Sequence, residues 1–241
     1  ISTAILPANR APRDRAVVES ILHQCGRDIT VTLDRSQHQT RSWSRPQAFA
    51  LSNEVTRRAW LMDVPDNRLF PDFFGARTVQ FRAGMELGIM NAALVVMSWV
   101  RAKMGLRIAP WFISALLWIA ERLKPFGTDV GGMSVAVTMM QSGKSRRKTW
   151  RLVASAGEGP YIPAIASRVI LRNSMAISAG ARPALAEVSL DAIEVVLKDL
   201  SVTTDIQDRQ IAPMFKAFLG DEFAALPPLI QSAHDVPAPR R

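Results

Sequence analysis

Arg82 and Glu86 stand four residues apart in Phe81-Arg82-Ala83-Gly84-Met85-Glu86-Leu87, across what reads as a strand-to-helix junction. A guanidinium there could take a carboxylate through two parallel N–H···O bonds. The competing reading is an ion pair at a surface or between domains, which arginine forms readily outside active sites. Thr128 and Asp129 lie in a glycine-rich turn, where turn chemistry alone accounts for them. Tyr161 could donate a hydrogen bond or act as an acid, yet Ile165 occupies the position where a short-chain reductase would carry lysine.

The other familiar signatures are missing. Dinucleotide binding needs a glycine-rich turn between a strand and a helix, so that backbone N–H groups can meet the pyrophosphate. No G-x-G-x-x-G occurs; the nearest echo, Gly157-Glu158-Gly159, runs into Pro160, which has no N–H to offer. Gly143-Lys144-Ser145 is similar to the end of a P-loop, but Thr138 stands where that pattern requires glycine. Trp150, Leu152 and Ala154 then alternate as a strand instead of opening a helix, so the segment reads as a basic hairpin tip. His23, His38, His234 and Cys25 have no ligand spacing, and no metal site is expected. The absence of Gly-x-Ser-x-Gly argues against the common serine hydrolase arrangement.

Composition sets the outer bounds. Apolar residues make up 48% and charged residues 21%, which is globular rather than disordered. A single cysteine excludes an internal disulfide and suits a reducing, cytoplasmic setting. The net charge of +9 calls for an anionic partner. Nucleic acid is disfavoured: the positive charge is scattered among apolar segments, and no Phe or Tyr accompanies the densest run, Lys144 to Lys148 with Arg151, as a stacking platform would need. An acidic small substrate, a phosphate or an anionic membrane surface fits at least as well. The sequence opens on Ile1 without a signal-peptide pattern, as expected of a processed chain or of part of a longer protein.

The elements that must position these residues follow from local patterns. Short β-type runs are expected at 1–6, 29–33, 60–64, 78–85 and 201–206, with 34–36 turning the chain and 40–49 as the hairpin partner of 29–33. Helices are expected over 12–24, in a short stretch from Pro65-Asp66, and over 87–104, 110–124 and 161–173. Another runs from Ser189, whose side chain can cap it, to Leu200. The clearest hairpin joins 133–141 to 149–155 through Ser142-Gly143. Strands and helices do not alternate regularly, so the fold class is α+β, with an antiparallel or mixed sheet packed by helices and no Rossmann domain in this chain. Residues 1–207 form one substrate- or oligomerisation-type domain, 208–213 a linker, 214–235 the start of a further helical domain, and 236–241 a disordered tail.

The helices over 87–104 and 110–124 form an apolar pair. Their cores are uncharged, Trp99 and Trp111 lie near the ends, and Arg101, Lys103 and Arg107 stand between them. Burial, within the domain or by packing against another domain, is the favoured reading. The rival is peripheral contact with an anionic membrane, indoles at the headgroups and cations toward lipid phosphate. Each run falls short of the ~20 residues needed to span a bilayer.

Four phrases in order resemble the region that follows the nucleotide-binding domain in saccharopine-dehydrogenase-like oxidoreductases. They are Pro7-Ala8-Asn9-Arg10-Ala11-Pro12; Phe81 to Leu87; Lys124-Pro125-Phe126-Gly127-Thr128-Asp129 with Gly131-Gly132-Met133; and Gly157-Glu158-Gly159-Pro160-Tyr161-Ile162-Pro163-Ala164. The tail, Phe218 to Phe223 with Leu226-Pro227-Pro228 and His234, is similar to the opening of an uncharacterised domain that often follows in such proteins. The resemblance implies an upstream Rossmann domain that binds NAD or NADP, hydride transfer to or from a small-molecule substrate, and a chain that holds no cofactor and is inactive alone. It implies that Arg82, Glu86, Thr128, Asp129 and Tyr161 face the substrate cleft, and that Asn9 and Arg10 receive the linker from the cofactor domain. A second copy of the chain and a membrane surface complete the expected partners.

Overall fold

The computed structural model describes residues 1–105, 108–141, 144–172, 180–211 and 218–234. The described chain divides into two compact units, residues 1–135 with 151–205 and residues 136–150 with 206–241. The fold is α+β, as the irregular order of elements implies.

In the first unit, β1 (Ser2–Leu6) lies parallel to β6 (Gln80–Ala83), with Ala4 opposite Arg82. Antiparallel to β6 runs β5 (Thr56–Leu61), which pairs in turn with β4 (Gln47–Ala50). Beyond β1 the sheet continues through β7 (Gly131–Gln141), β8 (Lys144–Ala154) and β9 (Val202–Gln210), in the order β4-β5-β6-β1-β7-β8-β9. The sheet is therefore mixed. A separate ribbon joins β2 (Asp28–Leu33) to β3 (Ser36–Arg41) through Asp34 and Arg35, both at positive φ, as a two-residue primed turn requires.

The partner of β2 is thus Ser36–Arg41, not the longer 40–49 segment expected from sequence. Phe49 belongs to β4. The error has a physical source. β3 is polar on both faces and mostly exposed, so it carries no alternation, and the apolar Trp43 and Phe49 draw the eye downstream.

The helices match their patterns more closely. α1 (Arg15–Gln24) ends where Arg101 donates to the carbonyls of Leu22, His23 and Cys25, groups a helix end leaves unpaired. α2 (Asp66–Phe74) follows Pro65. α3 (Gly88–Met104) and α4 (Pro110–Leu123) are the apolar pair, α4 starting on proline at its first turn. The expected helix at 161–173 is a 3-10 turn, Gly159–Ala164, running into α5 (Ile165–Arg172). α6 (Leu190–Leu197) is capped by Ser189, whose hydroxyl accepts from the Ala192 N–H at 3.2 Å.

Between the sheet and α3 lies the main core of Cys25, Trp43, Trp60, Met62, Phe81 and Met85, with Met90, Leu94 and Met97 packed against it. Burying side chains of this size contributes about 1.5–3 kcal/mol each. Each apolar helix is buried on one side only: Asn91 and Ser98 on α3 and Ile113 and Ala120 on α4 are covered, whereas Val96, Trp99, Trp111 and Trp118 are exposed. No described helix is long and apolar enough to cross a membrane.

The second unit holds the far parts of β7, β8 and β9, a 3-10 turn at Gly220–Ala225 and α7 (Pro228–His234). Asp208 to Gln210, expected in a linker, are the last residues of β9. The basic run is likewise part of strand β8 and not a loop; the expected turn at 142–143 and the tail at 236–241 lie outside the described residues.

Candidate functional site

Two charged arrangements flank the end of β6. One is complete among the described residues, and the other is not.

The complete one centres on Glu86. Gly84 makes it possible, because a Cβ there would come within 2.0 Å of the Arg58 carbonyl oxygen; only glycine lets β6 leave the sheet so close to β5. Asn91 on α3 then grips Met85 from both sides, accepting from its N–H and donating to its carbonyl at 2.8 Å each. Glu86 is aimed by this turn. It accepts from the Asn9 N–H at 2.7 Å, from the Thr128 N–H at 3.1 Å and from the Thr128 hydroxyl at 2.7 Å. The Arg57 guanidinium lies 2.8 Å away, with both side chains about nine-tenths covered.

Burial pushes the Glu86 carboxyl up, but the bonds from Thr128 and Asn9, together with Arg57, outweigh it and hold the group below its ordinary value. For Arg57 the balance runs the other way: burial lowers its pKa more than Glu86 raises it. Asn9 is fully buried; its side chain donates to the Leu123 carbonyl at 2.8 Å and accepts from Arg13 at 3.1 Å. A carboxylate this well supplied with donors is a poor proton acceptor at neutral pH. Glu86 acts as a clamp that ties the segments around Asn9 and Thr128 to the end of β6.

The incomplete arrangement centres on Arg82. Its residue is 5% exposed, registered between Ala4 on β1 and Leu61 on β5. One terminal nitrogen donates to Gln80 Oε1 at 2.9 Å. Its buried Nε has no acceptor among the described residues. Elsewhere in the chain that same edge is filled: Arg146 and Arg151 use Nε with Nη2 to hold Asp208 and Asp205. The charged neighbour that acts on Arg82 is a second cation, Arg45. Burial first, and Arg45 second, push its pKa down to about 10.

Arg45 is delivered by a constrained loop. Trp43 and Arg45 both hold positive φ, 59° and 49°, costly for residues with a Cβ. Trp43 N–H donates to the Leu61 carbonyl and the Leu61 N–H to Ser44, so the loop runs as a neighbour of the strand that registers with Arg82.

No protein-family model matches the chain, and no curated protein matches it significantly.

The expected site residues are therefore divided. Asn9, Glu86 and Thr128 meet in one cluster. Arg10 is exposed, and its N–H donates to the Thr128 carbonyl at 3.0 Å. Asp129 is half-buried beside Thr128. Arg82 is deeply buried rather than part of a surface ion pair. Tyr161 is 61% exposed on the 3-10 turn before α5 and joins neither arrangement. Arg57, Arg13, Trp43 and Arg45 escape the sequence reading. Arg57 sits in a plain strand, and only the polar Ser-Trp-Ser-Arg-Pro stretch hints at an unusual loop at 42–46.

Cys25 is buried, and burial pushes its thiol up to about 12 despite Arg101 nearby. It is poorly suited to nucleophilic chemistry. Among the described residues no group of His, Cys, Asp and Glu could hold a metal ion. Nor does the chain fit a dinucleotide at its first strand-to-helix turn. That turn carries Pro7, Asn9 and Pro12 and no glycine, and Asp14 stands at the α1 N-cap, where a pyrophosphate would meet a carboxylate. The P-loop echo also fails, since Lys144 and Ser145 continue as strand β8 and the Ser145 hydroxyl points to Met140 Sδ at 3.0 Å.

Proposed function

We propose that this chain is the substrate-side part of a saccharopine-dehydrogenase-like oxidoreductase, and that Arg82 receives an anionic group of the substrate. The reading rests on the resemblance of the four phrases. The observation that carries the site is the buried Arg82 guanidinium, which has an unfilled Nε edge and Arg45 as its charged neighbour. Leaving a desolvated cation without a counter-ion costs several kcal/mol, and a carboxylate or phosphate from outside would offset that cost through a charge-assisted bond. The convergence of Asn9, Glu86 and Thr128 further supports the reading. It draws three of the four phrases into one clamp four residues along the chain from Arg82, which would hold that end of β6 rigid while a substrate binds. A nicotinamide cofactor, NAD or NADP, would be held by a Rossmann domain outside this sequence, because the turn after β1 does not suit one.

Two measurements test this. Thermal unfolding of the chain should shift upward by several degrees in millimolar glutarate or inorganic phosphate, and R82M and R82Q should lose that shift while staying folded. An equal shift in the variants removes Arg82 from the site. Separately, the product of the native gene should bind NADPH or NADH while this chain alone does not. Binding by the chain alone would overturn the division of labour. A native gene with no strand, glycine turn and helix preceding Ile1 would overturn the oxidoreductase reading itself.

A further inference from the structure

The exposed faces of α3 and α4 are apolar in a way that buried helices of a single folded unit are not. On α3, Ile89, Val96 and Trp99 are 67%, 60% and 59% exposed, and Ala92 and Ala93 fill the same face. On α4, Trp111 and Trp118 are 72% and 60% exposed, with Ala115 and Ile119 alongside. The spacing 89, 92/93, 96, 99 and the spacing 111, 115, 118 each recur at the helical period, so each set forms a continuous stripe. A contiguous apolar surface rimmed by polar groups marks a contact face.

Charge identifies what each of these faces meets. Residues 88–104 contain no Asp or Glu. Lys103, also exposed, falls within roughly 40° of Ile89 around the helix, so it closes the α3 stripe with a cation at its C-terminal end. On α4 the Arg122 guanidinium lies 4.7 Å above the Trp118 ring, while Glu121, the helix's one acid, is held by Lys124 at 2.7 Å. On α3 and α4 the stripes are thus bordered by cations and by indoles, and the one carboxylate of the two helices is already paired. A second copy docked on the same face through a two-fold interface would bring like charges together. An anionic lipid surface supplies the missing counter-charge, at about 1 kcal/mol for each Lys or Arg near it. α3, with 17 residues, reaches only about 25 Å, less than a bilayer core, so the helices would lie on the surface and not cross it.

We propose that α3 and α4 seat this protein on an anionic bilayer, with Trp99, Trp111 and Trp118 at headgroup level and Lys103 and Arg122 against lipid phosphate. The inference does not rest on the oxidoreductase reading.

Co-sedimentation with vesicles tests it, for this chain and for the product of the native gene. Both should pellet with phosphatidylcholine vesicles containing phosphatidylglycerol and show a blue shift of tryptophan emission. Binding should weaken at least tenfold on phosphatidylcholine alone. V96E and W118Q alter only exposed positions, so they should keep the native melting temperature and lose at least tenfold in binding. Failure to pellet with the anionic vesicles, or undiminished binding by V96E, overturns the proposal. So does binding by this chain but not by the native gene product, because an upstream domain would then cover the face. A dimer that V96E dissociates, without vesicle binding, would assign the face to a second copy instead.

Discussion

Four donors converge on Glu86, from Asn9, Arg57 and twice from Thr128, and this makes its protonation a stability switch. The carboxyl is held below its ordinary value of 4.5, so the native state binds its proton less readily than the unfolded chain does. The stabilisation is therefore fully present above about pH 4.5 and is lost as pH falls through the lower native value. E86Q should remove it at neutral pH and leave Arg57 with only its long bonds to the Leu6 and Pro7 carbonyls and the Thr128 hydroxyl, a loss of about 1–3 kcal/mol. T128V, which takes away one hydroxyl, should cost about 1 kcal/mol. Denaturant melts from pH 7 down to pH 3 would check this. The gap between wild type and E86Q should stay constant above pH 4.5 and narrow below it. A gap that does not change with pH would mean that Glu86 is not held as an ionised acceptor.

At the scale of elements, the clamp depends on how closely the turn after α4 approaches the segment after β1. A Cβ on Gly127 would fall 2.2 Å from the Asn9 Cβ and 2.8 Å from its amide nitrogen. Asn9 cannot retreat, because it is fully buried and bonded to Leu123 and Arg13. G127A should therefore destabilise by about 2–4 kcal/mol, as overpacking and a broken buried bond combine. G159A, where nothing lies within 4 Å, should change stability by less than about 0.5 kcal/mol. Equal melting temperatures for the two would show that the two segments are not in contact. This contact also marks where the sequence stops being legible. α3, α4 and the Ser189 cap follow from patterns within one element, and those expectations agree with the structure to within a residue or two. Asn9 meets Glu86 across 77 positions and Glu86 meets Thr128 across 42, separations at which no local periodicity speaks. The electrostatic influence of Arg45 on Arg82 is equally hidden, since it depends on a loop at unusual φ alongside β5. Polar β3 shows the reverse failure, a strand with no apolar face to reveal it.

For the whole molecule, a net charge of +9 by itself predicts strong attraction to any polyanion, yet its arrangement matters as much as its sum. In the second unit, Asp208 on β9 holds Arg146 on β8 at 2.8 Å and has Lys148 at 3.9 Å. These three side chains are partly covered, and the pocket of about 310 Å³ beside them is lined by Gln141, Lys144, Arg146 and Gln210. One carboxylate thus restrains two cations of the densest basic run in the chain. Removing it should release them together, whereas removing an acid that forms no ion pair among the described residues changes only the total. D208N and D221N test the difference, because both raise the net charge by one and Asp221 is an exposed residue of the 3-10 turn. On a heparin column D208N should elute at clearly higher salt than D221N, because two released cations hold the polyanion until salt screens them, with a Debye length of about 8 Å at physiological salt. Identical elution of the two variants would mean that Arg146 and Lys148 already face solvent unpaired, and that the basic strand is a polyanion site after all.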